Sequence, residues 1–159
     1  MARVGFIGLG VMGFPMAGHL KNNGYDVIVY NRTKSKVTEW LETYNGKSAP
    51  TPDEVARNSD FVFCCVGNDD DLKSVTISDQ GAFKSMSQNT VFVDHSTVSS
   101  KVAQELSSLA SENGFGFIDA PVSGGQVGAE NGALTVMCGG DKSLFERVES
   151  LISCYSKSC

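Results

Sequence analysis

Gly8, Gly10 and Gly13 stand at the spacing G-x-G-x-x-G, directly after the short apolar run Val4-Gly5-Phe6-Ile7 and at the start of a helical pattern. Strand, glycine turn and helix in that order can cradle a pyrophosphate. Glycine at position 8 permits a tight turn, at 10 a close approach of backbone to phosphate, and at 13 a close seat of helix on strand. The helix N-terminus adds unpaired N–H groups and a partial positive charge. Gly8-Leu9-Gly10-Val11-Met12-Gly13 is therefore the expected phosphate-binding segment of a dinucleotide site. A glycine turn in another α/β protein can share the spacing; the position after an N-terminal strand favours the cofactor.

The next informative residues are Asn31-Arg32-Thr33, which end an apolar run at Val27–Tyr30. A unit built for NAD carries an acidic side chain near this place to hold the ribose hydroxyls. No carboxylate is present, and Asp26 lies at the opposite end of the strand. Arg32 offers a planar fork to a ribose 2′-phosphate, and Thr33 a hydroxyl. The expected cofactor is NADP, with NAD possible. A solvated Arg32 is the plainer alternative, but it leaves the missing acid unexplained.

Two further segments place polar residues and glycines after apolar runs. Asp94-His95-Ser96-Thr97 follows Val91–Val93, and Asp119-Ala120-Pro121-Val122-Ser123-Gly124-Gly125 follows Phe115–Ile118. Ser123, Gly124 and Gly125 open a further helical stretch, where N–H groups and a hydroxyl can converge on an anion. A tight turn with Ser123 as helix cap fits the same residues. His95 has the pKa range of a proton-transfer group, but a role in orienting Ser96 and Thr97 is the simpler reading. His19 reads as a surface or packing residue, and Asp119 as a residue that fixes its turn. Asp69-Asp70-Asp71 suits the first turn of a helix better than a cation site, and no metal site is expected.

The elements that must carry these residues alternate. Strands are predicted at Arg3–Ile7, Val27–Tyr30, Phe61–Val66, Thr90–Val93, Phe115–Asp119 and Leu134–Cys138. Helices are predicted over Val11–Asn23, from Thr33 or Ser35 to about Tyr44, after Thr51-Pro52, over Ser99–Asn113 and over Asp141–Ile152. Thr51 with Glu54 has the form of a capping box with proline at the first helical position. The alternation predicts an α/β fold: a doubly wound, Rossmann-type, mostly parallel sheet with helices on both faces. Residues 1–159 form one domain, and no terminal element is expected after the last helix.

Composition narrows the partners. Net charge is −5, with 13 basic and 18 acidic residues, so nucleic acid is not an expected partner. No apolar stretch approaches the roughly 18 residues of a membrane span, and no signal peptide precedes the first strand. The five cysteines show no C-x-x-C pair, which favours a reducing cytoplasm over a disulfide framework. Cys64 and Cys65 lie in an apolar run and read as core thiols.

Taken together, the glycine turn, the Asp-x-Ser-Thr box and the Asp-Ala-Pro-Val-Ser-Gly-Gly box resemble the β-hydroxyacid dehydrogenase family. That family includes 3-hydroxyisobutyrate dehydrogenase, glyoxylate and succinic semialdehyde reductases and 6-phosphogluconate dehydrogenase. The resemblance covers essentially the whole chain. It implies that Gly8–Gly13 carry the pyrophosphate and that Asn31, Arg32 and Thr33 meet the adenosine ribose. It places Cys65, Val66 and Gly67 beneath the nicotinamide side, where relatives often have Leu-Pro, with Asp71 a polar contact in the same loop. Thr97 is implied at the nicotinamide or its ribose. Ser123, Gly124 and Gly125 are implied to hold a small substrate carboxylate. The family's catalytic lysine belongs to a second, all-helical domain beyond Cys159, so no catalytic residue is expected in this chain, which should turn over nothing alone. The full-length enzyme is expected to be a homo-oligomer. A glyoxylate or succinic semialdehyde reductase, or a non-catalytic cofactor-binding module, remains an alternative.

Overall fold

A computed structural model describes all residues, 1–159. Six parallel strands form the central sheet: β1 (Arg3–Ile7), β2 (Asp26–Tyr30), β3 (Lys47–Ser48), β4 (Phe61–Cys64), β5 (Val91–Asp94) and β6 (Gly116–Asp119). Their order is β3-β2-β1-β4-β5-β6. The chain thus builds outward from β1 to one edge, then returns to the other side of β1 with β4. That reversal is a topological switch point, and ligands of open α/β sheets bind outside the carboxyl ends of the strands beside it. The register sets Ile7 level with Tyr30 on one side and Cys64 on the other, so three strand ends meet at one rim.

Alternation along the strands feeds two cores, as a sheet covered on both faces requires. Phe6, Phe63, Val93 and Ile118 point to one face, while Ile7, Val62, Phe92 and Phe117 point to the other. The first face is covered by α1 (Gly13–Asn22), α2 (Lys34–Tyr44) and α7 (Lys142–Ile152), with buried Leu20, Trp40 and Leu151. The second is covered by α3 (Pro52–Arg57), α4 (Asp69–Thr76) and α5 (Ser100–Glu112), with Val55, Leu72 and Leu106. Thr51 caps α3 through its hydroxyl on the Glu54 N–H, with Pro52 at the first position. Thr33 stands at the N-cap of α2, but its hydroxyl makes no capping bond.

The structure corrects the predicted strand over Leu134–Cys138. Leu134–Val136 (β8) belongs to a second, three-stranded sheet, antiparallel to Val122–Ser123 (β7) and parallel to Ser156–Ser158 (β9). That last strand was unexpected. The short helix α6 (Gly125–Glu130) lies between β7 and β8 and is tied to α1 by His19 Nε2, which donates to the Ala129 carbonyl (2.9 Å). The predicted strand over Phe61–Val66 ends earlier, at Cys64, and the first helix starts at Gly13 rather than Val11. All five cysteines are free. No helix is long and apolar enough to cross a membrane.

Candidate functional site

A cavity of about 340 Å³ opens at the carboxyl ends of β1, β2 and β4. Its floor is the glycine turn: Gly8, Gly10, Val11, Met12 and Gly13 all line it. Gly8 has φ +101°, and a Cβ there would fall on the Cys65 carbonyl oxygen. A Cβ on Gly13 would fall on the carbonyl oxygen of Gly8, so the helix starts hard against the turn. Gly10 is the opposite case: nothing lies within 4 Å of where its Cβ would be. Two of the glycines are therefore required by the protein's own packing, while the third leaves space on the cavity side.

The turn is braced from the neighbouring strand. Leu9 is buried and donates its N–H to Asn31 Oδ1 (2.9 Å), while Asn31 Nδ2 donates to the Thr33 carbonyl (3.1 Å). The Asn31 amide thus couples the tip of β2 to the turn while it lines the cavity. Arg32 lines the same cavity with its side chain 84% exposed. Thr33 is exposed and outside the lining.

The opposite wall comes from the segment after β4 and from α4. Cys65, Val66 and Gly67 line it, and Asp71 projects from the first turn of α4. The helix starts at Asp69, as the acidic run predicts, and Asn68 caps it through Oδ1 on the Asp71 N–H (2.8 Å). Asp71 Oδ1 lies 3.6 Å from Arg32 Nη1, which closes an ion pair across the cavity. Cys65 is half-buried, packed against the core and part of the cavity wall at once, while Cys64 is fully buried. Burial pushes the Cys65 thiol up to about 12, so it stays protonated and unreactive at neutral pH.

Of the residues singled out in the sequence, the cavity gathers eleven from three strand ends: Gly8, Gly10, Val11, Met12, Gly13, Asn31, Arg32, Cys65, Val66, Gly67 and Asp71. The sequence reading missed Ile7, Tyr30, Ser74 and Val75, which also line it. Ser74 and Val75 stand three and four residues after Asp71, and helical periodicity puts them on its face.

This arrangement is shared with known proteins. The sequence matches the model of the NAD binding domain of 6-phosphogluconate dehydrogenase over residues 3–159. The chain belongs to that family. An uncharacterized oxidoreductase of Shewanella frigidimarina is 55% identical over 99% of this chain and 54% of its own length. A probable 3-hydroxyisobutyrate dehydrogenase-like protein of Arabidopsis thaliana, described as mitochondrial, is 40% identical over 98% of this chain and 46% of its own. Among solved structures, Mycobacterium tuberculosis 3-hydroxyisobutyrate dehydrogenase with L-serine superposes with a TM-score of 0.93 at 27% identity, covering 100% of this chain and 54% of that one. Psf3 in complex with NADP+ and 2-OPP gives 0.92 at 26%, covering 98% and 55%. The chain spans about half the length of the relatives it matches.

The remaining candidates of this NAD-binding domain lie apart from the cavity. Thr97 is exposed in a separate shallow depression with Asn68, Asp69, Asp70, Val98 and Ser99. Ser123, Gly124 and Gly125 are exposed at the start of α6, and the two glycines have φ of +132° and +63°. Gly124, not Ser123, occupies the N-cap, without a side-chain bond.

His95 is sealed. Its Nδ1 donates to the Ala120 carbonyl (2.6 Å), so Nε2 accepts from the Tyr155 hydroxyl (2.6 Å). Burial lowers its pKa to about 4, so the ring is neutral at pH 7 and has no open side for proton transfer. Beside it, Asp94 Oδ1 accepts from Ser96 N (2.9 Å), and Ser96 Oγ accepts from Val66 N (2.9 Å). The Asp-His-Ser segment thus supports the cavity wall from behind.

Proposed function

We propose that this chain is the cofactor-binding half of an oxidoreductase that transfers a hydride between NADP(H) and a small 3-hydroxy acid such as 3-hydroxyisobutyrate. The nicotinamide carries the hydride; the protein residues bind and orient. The observation that carries the NADP reading is Arg32. It is the cavity's one basic side chain, it stands exposed at the rim, and no carboxylate occupies the tip of β2. A guanidinium there matches a 2′-phosphate in charge and geometry. Gly10, with open space before it, suits close approach of a pyrophosphate.

The small carboxylate is assigned to Ser123, Gly124 and Gly125, which are exposed at the start of α6. Thr97 is assigned to the nicotinamide side. The relatives' names support the substrate class. The proton-transfer lysine is assigned to a second domain in the whole protein, which also joins the subunits of a homo-oligomer. The acidic surface and free thiols suit the cytoplasm.

Titration of the 159-residue chain with NADPH and NADH tests this reading. NADPH is expected to bind at least about tenfold more tightly, the scale of one charge-assisted phosphate contact. Tighter binding of NADH overturns it. No oxidation of 3-hydroxyisobutyrate is expected from this chain alone; measurable hydride transfer refutes the division of labour.

A further inference from the structure

The cavity lining contains one basic and one acidic side chain, Arg32 and Asp71, and they are paired with each other. We propose that Asp71 is a specificity-determining residue that opposes Arg32 and restrains the preference for a 2′-phosphate. This rests on the reading of Arg32 as the partner of that phosphate.

Asp71 is the one member of its acidic run placed to do this. Asp69 Oδ1 accepts from Ser99 N (2.8 Å), and Asp69 and Asp70 line the separate depression that holds Thr97. Asp71 faces the cavity and is held there. Its N–H is capped by Asn68, which fixes it in the first turn of α4. A Cβ on residue 67 would come within 2.9 Å of Asp71 Oδ2, so Gly67 leaves the carboxylate its place in the wall. Arg32, at 84% exposure, is the more solvated partner and Asp71, at 32%, the more enclosed one.

The consequence is a competition. A 2′-phosphate that reaches Arg32 must take the guanidinium from Asp71 and sit within a few ångströms of a fixed negative charge. A ribose 2′-hydroxyl meets neither penalty, and it can donate a hydrogen bond to the carboxylate. Asp71 thereby supplies, from across the cavity, the acidic group that the tip of β2 lacks. It narrows the gap between the two cofactors instead of reversing it.

The test uses two probes that differ by the phosphate alone, adenosine 2′,5′-bisphosphate and adenosine 5′-monophosphate, titrated into the 159-residue chain at low salt. Asp71→Asn, which keeps the shape, is expected to tighten the bisphosphate about three- to tenfold and to weaken the monophosphate. Asp71→Ser should act in the same direction, which guards against a folding artefact of either variant. An effect confined to α4 stability would move both probes together, and that outcome overturns the proposal. So does an unchanged or weaker bisphosphate affinity while Arg32→Gln still weakens it. If Arg32→Gln leaves the bisphosphate unaffected, the underlying reading of Arg32 fails first.

Discussion

The two halves of the sheet's carboxyl edge use polar residues in opposite ways. At β1, β2 and β4 the polar groups stand around an open cavity, and Arg32 and the backbone at Gly10 face it. At the end of β5 the polar groups are closed in: Asp94, His95 and Ser96 are all buried, and Tyr155 from the last strand's approach fills the space beside them. Polar residues at the ends of parallel strands are thus a signal of a ligand site only where they keep a face open to a cavity. The switch in strand order supplies that face at β1 and β4, and α7 with Tyr155 removes it at β5. The difference is one of covering, not of residue type.

The largest effect should separate two glycines of the same turn. Gly8 sits at positive φ, with the Cys65 carbonyl where a Cβ would go. Gly8→Ala is expected to cost roughly 2–4 kcal/mol in urea unfolding, from backbone strain and displacement of the β4 segment. Gly10→Ala meets no atom, so stability should change by less than about 0.5 kcal/mol. NADPH affinity should nevertheless fall about tenfold in Gly10→Ala, because the added methyl occupies the space assigned to the pyrophosphate. Unaltered NADPH binding by a well-folded Gly10→Ala would break the contrast between a packed glycine and a ligand-facing one.

The sealed half should reveal itself through pH. Burial raises the Asp94 carboxyl to about 7 although Ser96 N donates to it, and Asp94 Oδ2 has no partner. The folded state therefore holds a proton that the unfolded chain has lost above about pH 4, and this contribution falls as pH rises from about 4 to 7. His95 runs the other way. Its folded pKa is about 4 against 6.5 for the free group, so the unfolded chain binds more protons between those values. That contribution grows as pH rises and is complete above about 6.5. The two slopes oppose each other in one window, and the pair should leave stability nearly flat between about pH 4.5 and 6.5. Asp94→Asn removes the falling term, and its stability should climb by roughly 2–3 kcal/mol across the window. Urea midpoints at three pH values read this directly; a flat profile in Asp94→Asn would mean that His95 is not held neutral.

Much of the open half was legible in the sequence because its signals are local. The glycine spacing, the Asn31-Arg32-Thr33 tip and the acidic start of α4 are each set within a few residues. Ser74 and Val75 were also within reach, as continuations of the Asp71 face. The sealed half was legible in its strands and helices but not in what covers it. Ser156–Ser158 is polar and short, and what makes it a strand is pairing with β8. Tyr155 is anchored by His95, 60 residues earlier in the chain. Leu134–Val136 has the alternation of any strand, and nothing in that pattern says which of two sheets it joins. β3 is two exposed residues at the sheet edge. Local pattern carries element type and the residues of a tight turn; pairing across the chain decides what is covered.

Ser96 is where the two halves touch, and it predicts the smallest effect. Its hydroxyl accepts from Val66 N, and Val66 and Gly67 form cavity wall, while its own N–H is held by Asp94. Ser96→Ala removes the acceptor without adding bulk. The Val66 N–H then loses its partner at a partly buried position, a cost of about 1 kcal/mol. If the sealed half only stabilises the fold, that cost should appear in unfolding and nowhere else. If it also positions the wall, NADPH affinity should fall about two- to fivefold. The probe that tells these apart is adenosine 2′,5′-bisphosphate. The wall from Cys65 to Gly67 stands opposite Arg32 and beside Asp71, so the bisphosphate should lose affinity in Ser96→Ala by the same roughly two- to fivefold as NADPH. Loss of affinity for both ligands would show that the wall serves the whole cavity, and loss for neither would leave Ser96 to the sealed half alone.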